Sequence, residues 1–243
     1  MRVLQFRRRW PTHSFFEILF WWTVVPALLR MFFRLVYRAR WDGRDRIPQC
    51  GPIIYAANHQ SHYDPPLIGC LAADRPFSSV AQSGLFSTGF SGWLMRQVGA
   101  IPLKRGQSDV SAVRIAIAQL KLGGCVLIFP EGGRTRDGVL GPFHRGVLVL
   151  IRRSKAAVVP VAVDGTYDVF PMGRRFPRLR GRIGVKFGPP IAAEELLSDS
   201  PEVALERLRR AIETMRLDLR NQMREATAGR YPTDTSGDTP YRP

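Results

Sequence analysis

Residues 52–69 read PIIYAANHQSHYDPPLIG, an uncharged apolar run followed at once by a cluster of polar side chains. Residues 52–57 have the composition of a buried β-strand, and the polar cluster begins directly after them. Two of the four histidines of the chain, His59 and His62, fall in this cluster, and Asp64 follows. Because α/β domains carry functional side chains on the loops that follow their strands, this stretch predicts both a fold class and a site.

Apolar segments of two kinds alternate along the rest of the chain. Those with strand composition are residues 125–129, residues 157–163 and the alternating Ile183, Val185 and Phe187, and those with helical periodicity are residues 109–122, 143–154 and 201–225. Strands that alternate with helices predict an α/β domain. We therefore expect a mixed sheet flanked by helices over residues 41–226.

The N-terminal segment is basic at first and then strongly apolar. Ser14 and Glu17 have the spacing of a helix capping box, and Pro26 interrupts the apolar run that follows. These features predict a helical hairpin within residues 1–40. Its two helices are expected at about residues 15–24 and 26–38.

The same segment has the composition of a membrane-associated helix. Its longest uncharged stretch, residues 18–29, has 12 residues, whereas a membrane-spanning helix needs about 20. Arg30, Arg34 and Arg38 recur every four residues and predict a basic stripe that reaches lipid phosphates, with the neighbouring aromatic rings at the acyl boundary. We therefore expect association with an anionic membrane surface; the alternative is a hairpin that packs on its own domain.

The bulk composition adds three expectations. Thirty-six Lys+Arg against 20 Asp+Glu give a net charge of +16, which attracts nucleic acid, anionic lipid or a phosphorylated substrate. Nucleic acid is disfavoured as a partner, because the basic residues are not interleaved with aromatics in a recognisable binding motif. Cys50, Cys70 and Cys125 are far apart and predict reduced thiols. Residues 227–243 have the composition of a disordered tail.

His59 and Asp64 are separated by four residues, and this spacing brings a carboxylate to an imidazole where a strand leads into a helix. Such a pair is typical of a general base: the aspartate holds one ring nitrogen while the other takes a proton from a bound hydroxyl. Three alternatives remain. His59, His62 and Asp64 have a spacing that loosely fits metal ligands, Ser61 is a possible nucleophile, and the polar residues are also common in helix caps.

Two further segments have the properties of an anion site. The sequence IPLKR, residues 101–105, places two basic side chains after a short strand and just before a helix. The sequence FPEGGRTR, residues 129–136, follows a buried strand with a loop in which backbone N–H groups approach a ligand closely. The candidate substrate-binding residues in the two segments are Lys104, Arg105, Glu131, Gly132, Gly133 and Arg134.

These segments together resemble the ordered sequence blocks of the glycerolipid acyltransferases, specifically the 1-acyl-sn-glycerol-3-phosphate acyltransferases. The hallmark of that family is an H-x4-D block followed by an FPEG-x-R block. The four matching blocks, in order, are NHQSHYD, IPLKR, FPEGGRTRDG and VVPVAV, and the resemblance spans about residues 50–190. A short N-terminal membrane-binding hairpin is also typical of the family.

The resemblance implies a role for each candidate residue. His59 would deprotonate the acceptor hydroxyl and Asp64 would orient it, whereas His62 would be an intervening residue. Arg105 with Lys104 nearby, and the loop residues Glu131, Gly132 and Arg134, would bind the acceptor phosphate. Gly133 stands where threonine is usual and His144 where lysine is common, so the two departures bear on acceptor choice.

The resemblance also implies the partners and the location. The donor would be acyl-CoA or acyl carrier protein, the acceptor lysophosphatidic acid and the product phosphatidic acid. Another lysophospholipid or a lyso-aminolipid remains an alternative acceptor, and a membrane-binding relative without catalysis is the alternative outside enzymes. No metal and no cofactor beyond the acyl donor is implied. The expected location is the cytoplasmic face of the cell inner membrane.

Overall fold

A mixed β-sheet forms the centre of the computed structural model, which describes residues 14–87, 89–103 and 110–240. Within these residues the strands are β1 (Arg40–Asp42), β2 (Ile53–Ala57), β3 (Ser78–Gln82), β4 (Ile101–Leu103), β5 (Cys125–Ile128), β6 (Ala157–Asp164) and β7 (Gly184–Phe187). They lie in the order β1-β7-β6-β2-β5-β3-β4, and all neighbours are parallel except β6 and β7. The predicted mixed sheet is confirmed.

Helices cover both faces of this sheet. They are α1 (Phe15–Leu19), α2 (Val25–Tyr37), α3 (Asp64–Leu71), α4 (Gly89–Gln97), α5 (Val110–Lys121), α6 (Gly146–Ser154), α7 (Thr166–Val169), α8 (Ala193–Leu197) and α9 (Pro201–Glu225). Side chains alternate along a strand, so that Ile53 and Tyr55 lie in one buried cluster and Ile54 and Ala56 in the other. The helices α2 and α3 pack on the first cluster, and α5, α6 and α9 pack on the second.

The N-terminal apolar segment is one continuous helical run, so the predicted hairpin is wrong. A π-helical turn, Phe20–Val24, joins α1 to α2, and the backbone stays right-handed helical on both sides of it. Pro26 lacks an N–H, and its ring clashes with the carbonyl four residues earlier in a regular helix. The wider π turn, in which Val25 N–H donates to the Phe20 carbonyl, lets the chain pass the proline without reversing. The capping box predicted at Ser14 is present.

One side of α2 packs on the domain and the other is exposed. Phe33 and Tyr37 are buried, whereas Leu28, Met31 and Leu35 are exposed. The segment Phe20–Tyr37 has 18 residues with a mean hydropathy of 1.2, and 17% of it is buried. Its length and composition are therefore sufficient for a helix that crosses a membrane. Core helices of soluble proteins also meet this test of length and composition.

The predicted arginine stripe is partly engaged with the domain. Nε of Arg30 donates to the carbonyl of Cys70 at the end of α3 (2.5 Å). The guanidinium of Arg34 lies over the ring of Trp41 at 5.1 Å from its centroid. These two arginines therefore fasten α2 to the α/β domain, a role that the helical spacing alone did not indicate.

The C-terminal segment packs against α9, so the prediction of disorder is wrong for residues 227–240. The carbonyl of Gly237 accepts a hydrogen bond from Nη1 of the buried Arg216 (2.8 Å). The carboxylate of Asp238 pairs with Arg220 (3.0 Å). Polar composition suggested a solvated tail, but this segment instead supplies the acceptors that buried guanidinium groups require. The last three residues of the chain lie outside the described part.

Candidate active site

Three neighbouring strands, β5, β2 and β6, end at one edge of the sheet because they run parallel. We call this edge the carboxyl edge; the polar segments after the three strands meet there. The side-chain amide of Asn58 donates to the Val163 carbonyl (2.8 Å) and accepts the Val163 N–H (2.7 Å). The start of the HQSHYD segment is therefore fixed against the end of β6.

Asp64 is fully buried at the start of α3, and its carboxylate is surrounded by donors. Its Oδ2 lies 2.9 Å from Nδ1 of His59. The same oxygen accepts the backbone N–H groups of Gln60 (2.6 Å) and Ser61 (2.7 Å). The hydroxyl of Thr166 donates to the other oxygen, Oδ1 (2.6 Å). This set of bonds fixes the position of the carboxylate.

The imidazole of His59 is held on two sides. Its ring stacks on the ring of Phe129, with centroids 3.8 Å apart and planes inclined by 16°. Its Nδ1 binds Asp64, and its side chain keeps 16% of its surface exposed. A carboxylate at Nδ1 selects the tautomer with the proton on that nitrogen and leaves the lone pair on Nε2. The geometry is therefore that of a general base with a fixed ring.

Glu131 joins two loops through backbone hydrogen bonds, and its predicted place among the phosphate-binding residues stays a prediction. Its Oε1 accepts the backbone N–H of His59 (2.7 Å), and its Oε2 accepts that of Gly141 (2.9 Å). Burial raises the pKa of Glu131 to about 7, against the lowering effect of these two hydrogen bonds. Both oxygens are engaged by the backbone, so we assign the side chain to positioning His59.

The two glycines after Glu131 form an open turn at the carboxyl edge. Gly132 has a φ of +69°, and a Cβ there would lie 3.0 Å from the ring of His144. A side chain at this position would thus be strained and crowded. A Cβ on Gly133 would meet nothing within 4 Å. The turn therefore leaves room for a ligand beside its backbone.

Arg134 lies next to the histidine motif. The backbone N–H of the following residue, Thr135, donates to the carbonyl of His59 (2.8 Å). The structure therefore brings Arg134, Gly132 and Gly133 together with the His59–Asp64 pair. Lys104 and Arg105 lie outside the described residues, so their predicted role stays a prediction.

The alternatives for the motif find less support in the geometry. Ser61 is fully buried, and its hydroxyl donates to the carbonyl of Phe170 (2.8 Å), as in a structural turn rather than a nucleophile. His62 is exposed and lies beside the ring of Phe170, with centroids 6.1 Å apart. In the part of the chain that the structure describes, no group of three His, Cys, Asp or Glu side chains is placed to hold a metal ion.

Three buried polar residues at this edge were not predicted. Gln60 donates through Nε2 to Asp164 (3.1 Å) and accepts the backbone N–H of Tyr167 at its Oε1 (3.4 Å). The single hydroxyl hydrogen of Thr166 goes to Asp64. Asp164 in turn pairs with Arg216 and Arg220 of α9. The sequence contained a signal for Asp164 and Thr166, because both come just after the apolar run 157–163. The HQSHYD segment follows the apolar run of β2 in the same way.

Comparison with known proteins gives a consistent result. A family model described as Acyltransferase matches residues 38–164. The chain is 32% identical over 158 residues to a chloroplastic 1-acyl-sn-glycerol-3-phosphate acyltransferase of Arabidopsis thaliana, covering 64% of this chain and 44% of that one. It is 30% identical over 184 residues to the lyso-ornithine lipid O-acyltransferase of Pseudomonas aeruginosa, covering 69% and 68%.

A solved structure is similar as well. The crystal structure of the 1-acyl-sn-glycerophosphate acyltransferase PlsC from Thermotoga maritima matches with a TM-score of 0.68 and 26% identity, covering 87% of each chain. The chain spans about half the length of the chloroplast relatives that it matches. The matched family region covers more than half of the 243 residues and includes both the His59–Asp64 pair and the Glu131–Arg134 loop. The chain therefore belongs to the acyltransferase family.

Proposed function

We propose that this protein transfers an acyl chain from a thioester, acyl-CoA or acyl carrier protein, to the free hydroxyl of lysophosphatidic acid, producing phosphatidic acid. The observation that carries the proposal is the His59–Asp64 pair, 2.9 Å apart, beside a glycine turn and an arginine at the carboxyl edge. The relative from Arabidopsis thaliana and the structure from Thermotoga maritima both have names that state an acylglycerophosphate acyltransferase activity.

In the proposed reaction, the hydroxyl oxygen of the acceptor attacks the thioester carbonyl carbon while Nε2 of His59 takes the hydroxyl proton. The new C–O bond forms, the tetrahedral intermediate collapses and the C–S bond breaks. The departing thiolate recovers the proton from the imidazolium. The buried Asp64 stabilises that imidazolium and holds its ring. The reaction balances without an acyl-enzyme, a metal or any cofactor beyond the donor.

Arg134, with the backbone of Gly132 and Gly133, is proposed to bind the acceptor phosphate, and Lys104 and Arg105 are proposed to complete that site. A guanidinium binds phosphate through short charge-assisted hydrogen bonds, which fix orientation as well as affinity. Correct orientation brings the hydroxyl to His59, and such positioning lowers the barrier of a two-substrate reaction. The exposed apolar face of α2 supports a location at a membrane, which we propose to be the cytoplasmic face of the inner membrane.

The proposal is tested with the purified protein, lysophosphatidic acid and a mixture of acyl thioesters, with the products identified by mass spectrometry. His59→Ala should lower the turnover about 10²–10⁴-fold, the usual worth of a general base. The matched change His62→Ala removes a nearby imidazole that does not contact Asp64 and should keep most of the activity. The opposite order of damage in the two variants would refute the assignment of the base.

A lyso-aminolipid is the second candidate acceptor. The lyso-ornithine lipid O-acyltransferase of Pseudomonas aeruginosa matches over two thirds of each chain. An acceptor without a phosphate has less need of Arg134. Parallel assays with lysophosphatidic acid and lyso-ornithine lipid, using the same labelled donor, distinguish the two: the true acceptor should have the higher kcat/KM.

A further inference from the structure

The loop between α7 and β7, residues 171–182, lies at the carboxyl edge, and we call it the arginine loop. β6 ends at this edge, and β7 begins there because Gly184 pairs antiparallel with Asp164. The residue before the loop, Phe170, accepts a hydrogen bond from Ser61 and packs on Tyr63 of the histidine motif. The loop therefore flanks the candidate active site.

The arginine loop combines positive charge with exposed apolar side chains. Its five arginines are Arg174, Arg175, Arg178, Arg180 and Arg182, and residues 169–193 contain no acidic residue. Met172, Phe176 and Leu179 are exposed within the same loop. Arginine beside exposed phenylalanine and leucine is the composition of a segment that lies in the membrane interface.

Contacts at the base of the loop fix its course, and they engage Arg178, whose Nη1 also lies 3.6 Å from the carboxylate of Asp168. The backbone N–H of Arg178 donates to the Val169 carbonyl (2.8 Å), and its Nη1 donates to the Asp168 carbonyl (2.7 Å). Gly165 has a φ of +81°, and a Cβ there would lie 2.0 Å from the carbonyl oxygen of Arg182. The two ends of the loop are thus held close together. The fold itself therefore orders the loop, without a binding partner.

Further arginines lie where the arginine loop meets the end of α2. Arg40 pairs with Gly184 in the parallel ladder of β1 and β7, so α2 ends at the carboxyl edge as well. Burial, and then the positive charges of Arg38, Arg40 and Arg230, lower the pKa of Arg182, and Tyr231 offsets part of this effect. Like charges gathered in this way repel one another, and an anionic surface relieves that repulsion.

We propose that the arginine loop is a second membrane-docking element, in which the arginines bind the headgroups of anionic phospholipids while Phe176 and Leu179 enter the acyl boundary. Together with α2, it holds the carboxyl edge against the bilayer. The inference rests on the proposed function in one respect, namely that the acceptor is a lipid that reaches His59 from the same bilayer. Two neighbouring contacts at the carboxyl edge fix the orientation of the domain, which a single helix does not.

The test measures binding of the full chain to phosphatidylcholine vesicles with and without phosphatidylglycerol. Arg175→Gln/Arg180→Gln should weaken binding to the anionic vesicles about 30-fold, since each arginine near such a surface contributes about fivefold. The matched control is Arg152→Gln/Arg153→Gln, which removes the same charge from the end of α6. These two residues lie near the start of β6 and therefore at the edge of the sheet opposite the carboxyl edge. This control should bind nearly as the wild type does.

A second pair of variants tests the apolar contact. Leu179→Ser should weaken binding several-fold, whereas Leu122→Ser should not, although the two leucines are exposed to 70% and 72%. Leu122 directly follows α5 and lies at the opposite edge of the sheet. Equal losses in loop and control variants, or no loss in the loop variants, would overturn the proposal.

Catalysis is measured separately. Loop variants should retain the wild-type rate on a detergent-dispersed acceptor and lose rate on an acceptor embedded in anionic vesicles. A raised KM for the thioester donor with unchanged vesicle binding would show that the loop binds the phosphates of the donor, and would also overturn the proposal. Vesicle binding needs no turnover, so it decides the role of the loop even if acyl transfer fails.

Discussion

At the scale of single residues, the candidate base depends on a carboxylate that is itself held by its neighbours. Thr166 donates its hydroxyl hydrogen to Oδ1 of Asp64 at 2.6 Å, and both residues are fully buried. The backbone N–H groups of Gln60 and Ser61, in the loop before α3, also donate to this carboxylate. A side chain 102 positions away in sequence thus completes the environment of the His59–Asp64 pair.

Thr166→Val is therefore expected to lower kcat about tenfold with little change in KM, because it removes a donor to Asp64 and leaves the substrate contacts intact. Leaving a buried acceptor without this partner also costs about 1–3 kcal/mol of stability. Steady-state kinetics well below the unfolding temperature separate the two effects. Thr166→Ser retains the hydroxyl and should restore kcat; failure of that rescue would indicate a purely structural role.

Arg134→Ala is expected to raise KM for lysophosphatidic acid by about 10–100-fold, the worth of a hydrogen-bonded charge, with a small change in kcat. The matched control is Arg136→Ala, an exposed arginine of the same loop. Thermal unfolding of both variants should match that of the wild type. An unchanged KM in Arg134→Ala, or an equal rise in Arg136→Ala, would contradict the assignment of the phosphate to Arg134.

At the scale of elements, β6 is fastened to α9 and the C-terminal segment by buried charge. Asp164 is fully buried and accepts hydrogen bonds from Nε of Arg220 (3.0 Å) and Nη1 of Arg216 (3.4 Å). Arg216 also binds Glu213 through two hydrogen bonds. The network reaches the site through Gln60, which donates to Asp164.

Asp164→Asn is expected to lower the free energy of unfolding by about 3–5 kcal/mol, because it leaves buried guanidinium charge without its carboxylate. The matched control is Asp218→Asn, which breaks the partly exposed pair with Lys186 and should cost under about 1 kcal/mol. Denaturant unfolding followed by circular dichroism measures both. Similar small losses in the two variants would show that the buried network contributes little.

The elements divide into those that the sequence predicts and those that depend on distant contacts. β2 and the motif after it are predictable because a buried strand is a continuous apolar run. The N-terminal segment is not, since Pro26 reads as a break until a π turn accommodates it. Residues 227–240 are polar, and their order depends on guanidinium groups of α9 that only the folded chain brings near them.

The contacts of Glu131 were not predictable from the sequence for a related reason. In the sequence it stands beside two arginines, which suggested a shared anion site. In the structure its partners are backbone N–H groups 72 and 10 positions away. Residue spacing identifies a strand, a helix or a short motif, but it does not reveal which backbone groups a side chain meets across the sheet.

At the scale of the whole molecule, the candidate site and the proposed membrane-binding elements all lie at the carboxyl edge of the sheet. α2 ends at the carboxyl edge, the arginine loop projects beside it, and the His59–Asp64 pair lies on the loop after β2. The apolar face of α2 and the apolar tip of the arginine loop are both exposed. A single bilayer in front of this edge would serve both proposals, the membrane contacts and the supply of a lipid acceptor.

The stability of the whole fold is expected to depend on pH through Glu131. Its folded-state pKa, about 7, lies above the ordinary value of 4.5, so between these values the folded protein binds the proton more tightly than the unfolded chain does. The stabilisation from that proton is complete below about pH 4.5 and is lost as the pH rises through about 7. Glu131→Gln cannot titrate, so the stability of the wild type relative to this variant should fall by about 3 kcal/mol between pH 4.5 and 8. Denaturant unfolding of both proteins at several pH values measures the difference, and a difference that does not vary with pH would show that the carboxylate stays ionised in its buried site.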